Sequence, residues 1–100
     1  MRLFKEATMY QCLKITFFVG VANGFLSKYV RNNAMKLGLE GFAHLISDDK
    51  VKIIVCGKKN RIDEFVDALY NGTSKFKLDN IEMESHLKDK DYRGIFRVVE

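Results

Sequence analysis

Two segments of this chain carry an apolar stripe at helical spacing, and neither can exist alone in water. Leu26, Tyr29, Val30, Ala34 and Leu37 recur in steps of three and four, as do Ile62, Phe65, Val66, Leu69 and Tyr70. Each stripe covers one side only, so each helix needs a flat apolar surface to lie on. The segments before and between them supply it. Leu13, Ile15, Phe17 and Val19 alternate with Lys14 and Thr16, and Val51, Ile53 and Val55 alternate with Lys52, the period-two pattern of strands with one buried face. Further strands are predicted over 41–46 and 50–57, joined as a hairpin through Ser47-Asp48-Asp49, and through Lys75 to Leu78 or onward to Met83. A last strand holds Phe96 and Val98 on one side, after a charged turn around Lys88 to Asp91.

Local chemistry marks the ends of the helices. Gly20 and Asn23-Gly24 break the first strand pattern and open a loop, and the first helix is predicted from about Phe25 to Leu37. Gly38 stands where a left-handed residue would close that helix, with Leu39 folding back on its last turn. Asn60 is the expected cap of the second helix, Asp63 lies in its first turn, and Gly72 ends it. The order is β-α-β-β-α-β with an extra terminal strand. This is the ferredoxin-like α+β sandwich, an antiparallel sheet with two helices on one face.

The chain of 100 residues, 47% hydrophobic, suits one core. It contains no proline, no low-complexity tract and no repeat. The reading is an N-terminal arm over 1–12 and one domain over 13–100. Tyr10 and Phe4 are expected to pack on the domain or on a partner. No apolar run approaches the roughly 20 residues of a membrane span, and the N-terminus has no secretory h-region, so the cytoplasm is the expected compartment. Cys12 and Cys56 fit no metal pattern; they are expected as reduced, packed thiols at the same end of neighbouring strands. No cofactor and no metal are expected. The net charge of +4 favours anionic partners. Lys58-Lys59 is read as a solvated turn, His44 and His86 as ordinary histidines.

Specific residues narrow the fold to a family. Val19-Gly20-Val21-Ala22-Asn23-Gly24-Phe25-Leu26-Ser27, followed by Ala34-Met35-Lys36-Leu37-Gly38-Leu39-Glu40-Gly41-Phe42-Ala43, resembles the acylphosphatase pattern of a G-x-V-Q-G-V-G-F-R loop, a helix and L-G-L-x-G-W-V-x-N. The resemblance covers about 13–99. It implies the acylphosphatase version of the sandwich and hydrolysis of carboxyl-phosphate bonds. Backbone N–H groups of the loop and its arginine would hold phosphate, and an asparagine on the second strand would position water. A guanidinium matches phosphate oxygens in a two-pronged fashion, and an amide orients water without titrating.

Aligned without gaps from L-G-L-x-G, the arginine position falls on Ser27 and the asparagine position on Leu45; anchored on Gly24-Phe25, the arginine position falls on Leu26. Neither a serine nor a leucine replaces a guanidinium. The resemblance therefore implies a catalytically degenerate acylphosphatase-like domain. Its remaining role would be binding a small anion such as phosphate at Ala22, Asn23, Gly24, Phe25, Leu26 and Ser27, or binding a protein partner. The alternative is a weakly active acylphosphatase in which Lys28 or Arg31 substitutes for the arginine. A third reading, a weak nucleic-acid-binding module, is disfavoured because 50–57 carries no aromatic residue where base-stacking domains of this fold need one.

Overall fold

In the computed structural model, residues 9–19, 25–71, 78–88 and 91–99 are described, with the backbone only of 25–27, 78 and 79. The elements are β1 (Tyr10–Val19), a π-helical turn (Phe25–Val30) continuing into α1 (Arg31–Lys36), β2 (Glu40–Leu45), β3 (Lys50–Lys58), α2 (Lys59–Asn71), β4 (Leu78–His86) and β5 (Phe96–Val99). They form one five-stranded sheet in the order β4-β1-β3-β2-β5. β1 pairs antiparallel with β3 and β4, and β3 with β2. The fifth strand departs from the antiparallel expectation, because β5 runs parallel to β2. After β4 the chain crosses to the far edge of the sheet and enters β5 in the direction of β2.

Both helical stripes land on the same sheet face. Val30, Ala34, Ile62, Phe65 and Leu69 pack against Ile15, Phe17, Val19, Ala43, Val51, Ile53, Val55 and Phe96 in one buried cluster. Phe96 and Val98 both face this core, as the alternation predicts. The opposite face carries a smaller cluster, in which Cys12, Ile54 and Cys56 are packed by Phe42 and Tyr92. Among the described residues no helix is long and apolar enough to cross a membrane.

The L-G-L-x-G segment is structural at nearly every position. Leu37 packs on the core. Gly38 takes φ +70, Leu39 N–H donates to Ala34 C=O (2.9 Å) and Gly38 N–H to Met35 C=O (3.1 Å), the paired bonds of a glycine-closed helix end. Leu39 then buries its side chain. Gly41 lies in β2 opposite Val55 with φ +135, and a Cβ there would stand 1.9 Å from the Ile54 carbonyl oxygen. Only glycine lets β2 approach β3 so closely.

Several boundaries shift. β1 begins at Tyr10, three residues before Leu13, and its partner Lys58 extends β3 correspondingly. No turn separates β3 from α2: Lys58 ends the strand and Lys59 begins the helix, its N–H donating to Met9 C=O (2.7 Å). Asn60 is therefore inside α2 and does not cap it. The Lys58-Lys59 pair marks a strand-to-helix junction instead of a solvated turn. β4 runs to His86, and a bulge opposite Thr16–Phe18 places Asn80 at φ 52. Gly72 and Lys75 to Lys77 lie outside the described residues, as do Asp89 and Lys90 of the expected turn.

The largest correction concerns the cysteines, which form a disulfide, Cys12–Cys56, in place of the expected free thiols. Antiparallel pairing sets the two directly opposite each other, on one face, with Cα atoms 4.1 Å apart. No sequence spacing signals this, because register alone creates it.

Two outcomes follow. Gly41→Ala should lower unfolding stability by about 3 kcal/mol in denaturant titration, since the added methyl meets backbone that cannot yield. The bridge closes 44 residues of sequence, so its removal in Cys12→Ala/Cys56→Ala should cost about 3 to 4 kcal/mol. Intact mass under non-reducing conditions should read two hydrogens below that of the reduced chain.

Candidate functional site

The family resemblance directs attention to the end of the sheet where β1 gives way to the first loop. Val19 N–H donates to Asp49 C=O (2.8 Å), which ties the end of β1 to the β2–β3 turn. One row back on the helix face, Leu45 pairs with Val51 and Val51 with Phe17. Leu45 is half-buried against the main core. It thus lies on the helix-covered face, two residues short of the point from which the loop departs. Ala22, Asn23 and Gly24 lie outside the described residues; of Phe25, Leu26 and Ser27 the backbone is described, within the π turn.

That turn bears on the two alignments of the loop, which differ by one residue. A π turn closes i→i+5 bonds and takes up one residue more than an α turn. A turn of this kind would accommodate the one residue by which the two alignments differ. Arg31 is the first residue of α1, immediately after this turn. Lys28 and Arg31 are both exposed. His44, adjacent to Leu45, points to the opposite face as alternation predicts, with Lys52 opposite it in β3.

Among the described residues, the ionisable groups with shifted titration lie at the other end of the sheet; the sequence drew attention to Tyr10 as part of a packing arm and to Lys88 as part of a charged turn, and not to Glu40. Glu40, 8% exposed, accepts hydrogen bonds from the Tyr10 hydroxyl, from Lys88 Nζ (2.7 Å) and from Gly94 N–H (2.7 Å). Lys88 also lies over the Tyr10 ring, 5.1 Å from its centroid. Desolvation is the largest single influence on Glu40 and would raise its pKa, but the bonds from Lys88, Tyr10 and Gly94 together outweigh it and hold the carboxyl low. Burial, then the bond to Glu40, raise the Tyr10 phenol. The bonds to Glu40 and Tyr10 raise Lys88. All three groups are anchored in their ordinary charge states, which suits a structural clamp and not a proton shuttle. The sequence offered one hint: an acid between Leu39 and Gly41, at the start of a strand. Its partners lie 30 and 48 residues away and are visible only in the fold. Among the described residues no group of His, Cys, Asp and Glu could hold a metal ion.

The architecture defines the class: a ferredoxin-like sandwich, one five-stranded sheet with its helices packed on one face. Comparison with known proteins gives the family within that class. The sequence model of the family described as Acylphosphatase matches residues 21–98, and the chain belongs to that family. The acylphosphatase of Aliivibrio fischeri is 38% identical over 56 residues, which is 56% of this chain and 62% of that protein, less than two thirds of its length. The acylphosphatase of Caldivirga maquilingensis is 31% identical over 72 residues, covering 71% of this chain and 75% of that one. Among solved structures, an acylphosphatase from Coxiella burnetii superimposes with a TM-score of 0.76 at 27% identity, covering 89% of this chain and 92% of its own.

The clamp sets a pH window. Glu40 is lowered from an ordinary value of 4.5, so its contribution is complete above that value and is lost as pH falls through the depressed one. Tyr10 is raised from 10.0, so its contribution is complete below that value and is lost as pH rises through the elevated one. Chemical-denaturation midpoints should therefore form a plateau between about pH 5 and 9.5 that falls on both sides. Glu40→Gln should lower the plateau and flatten its acid limb.

Proposed function

We propose that this member of the acylphosphatase family keeps the scaffold but not efficient acyl-phosphate hydrolysis, and that it binds a small anion such as phosphate through the loop Ala22–Ser27, or a protein partner. The observation that carries the reading is Leu45, an apolar side chain half-buried on the core where the family pattern calls for an amide. A leucine there has no atom able to aim water at a carbonyl or phosphoryl centre. The guanidinium role is vacated as well, whether its position is Leu26 or Ser27. The π turn favours Leu26, because it takes up the one residue by which the alignments differ. Loss of a single preorganised donor costs about 2.7 to 4 kcal/mol in the barrier. Two independent losses correspond to a rate lower by a factor on the order of 10⁴ or more.

A second reading rests on Arg31, four residues past Ser27 at the start of α1, whose exposed side chain would reach back to the loop and support slow hydrolysis. Hydrolysis of benzoyl phosphate at pH 7 separates the two. The unaltered protein should match buffer, and Leu26→Arg/Leu45→Asn should raise the rate at least about 100-fold. Ser27→Arg/Leu45→Asn should raise it less. Hydrolysis by the unaltered chain above the buffer rate, abolished by Arg31→Ala, would establish the active reading. Amide shifts of Ala22–Ser27 on addition of inorganic phosphate test the binding role, and silence at tens of millimolar would remove it.

A further inference from the structure

We propose that the concavity between β2, β5 and the turn preceding β5 is a binding site for a nucleoside monophosphate, an aromatic ring carrying a phosphate. It encloses about 510 Å³, within the range of small-molecule pockets. It lies on the sheet face away from the helices, and Leu45 is not among its described lining residues. Its character comes from five side chains: Phe42 and His44 of β2, Tyr92 and Arg93 of the turn, and Arg97 of β5.

Register explains how they meet. Phe42 lies opposite Arg97 in the parallel β2–β5 pair, and alternation sends both away from the core that receives Ala43, Phe96 and Val98. The turn lays Tyr92 beside Phe42, ring centroids 6.2 Å apart and tilted by 53°. A two-ring apolar wall in a concavity also lined by two arginines is the chemistry that accepts a planar base and an anionic tail. Aromatic faces stack on the base, and an arginine fork pairs with phosphate oxygens. Lys52, 5.9 Å from the Phe42 centroid, adds positive potential from β3. Arg93 is held at φ 55, a costly conformation for a residue with a Cβ, in a turn closed by Ile95 N–H to Tyr92 C=O (3.0 Å). The wall also contains Asp91, whose Oδ1 accepts the Arg93 backbone N–H at 2.8 Å. Its charge opposes a phosphate on that side and directs it to Arg97.

Titration of the ¹⁵N-labelled chain with adenosine monophosphate, adenosine and inorganic phosphate tests the assignment independently of the loop. Adenosine monophosphate should shift the amides of Phe42, His44, Arg93 and Arg97 with half-saturation near about 0.5 mM. Adenosine and Arg97→Gln should each weaken binding about tenfold. Asp91→Asn should strengthen it, and a preserved spectrum verifies folding of each variant. Absence of shifts at these residues up to about 10 mM, or equal affinity in Arg97→Gln, overturns the proposal. A single-stranded hexaribonucleotide that binds at least about tenfold more tightly than the mononucleotide, with shifts spreading to Phe18 and Lys50, overturns it in favour of a nucleic-acid surface.

Discussion

The carboxylate of Glu40 holds together parts of the fold that would otherwise have little reason to stay in place. After β4 the chain must travel from one edge of the sheet to the other before it can pair with β2. Such a connection cannot be anchored by strand pairing along its way. Glu40 anchors it at both ends, through Lys88 just after β4 and Gly94 just before β5, and recruits the Tyr10 hydroxyl from the start of β1. A carboxylate so buried is costly unless its lone pairs are filled, and three donors fill them. The position of Arg93 and Tyr92 over the open sheet face depends on that arrangement.

The sequence made the architecture legible because the physics that sets it is local. Stripes at Ile62, Phe65 and Leu69 and alternation at Val51, Ile53 and Val55 both reflect a single buried face, and the structure buries those residues together. The Gly38 helix end is equally local and appears as expected. What the sequence withheld is set by pairing between distant segments. The direction of β5, the contact of Tyr10 with Glu40 and the bond between Cys12 and Cys56 all depend on register. The extension of β1 back to Tyr10 belongs with them, since an isolated Tyr-Gln-Cys carries too short a pattern to read as strand.

The family relationship and the chemistry answer different questions. The L-G-L-x-G segment that identifies the family does mechanical work here: a helix end, a core leucine, an anchor carboxylate and a close strand contact. These demands persist whether or not the chain turns over a substrate, so their presence shows shared structure and is silent on rate. Leu45 is different. It fits the core as any apolar neighbour of Val51 would, so an apolar residue there costs the fold little, whatever the chemistry at that end of the sheet.

The sulfur bridge between β1 and β3 also changes how the molecule would respond to being pulled. Tension applied at the two chain ends enters at the start of β1, crosses from Cys12 to Cys56 and leaves through the last residues of β3, bypassing the rest of both strands together with the π turn, α1 and β2. Those elements form a covalent ring that carries no load, so roughly 150 Å of contour length stays locked away from extension. A single backbone cut within that ring would leave the two pieces joined as one molecule.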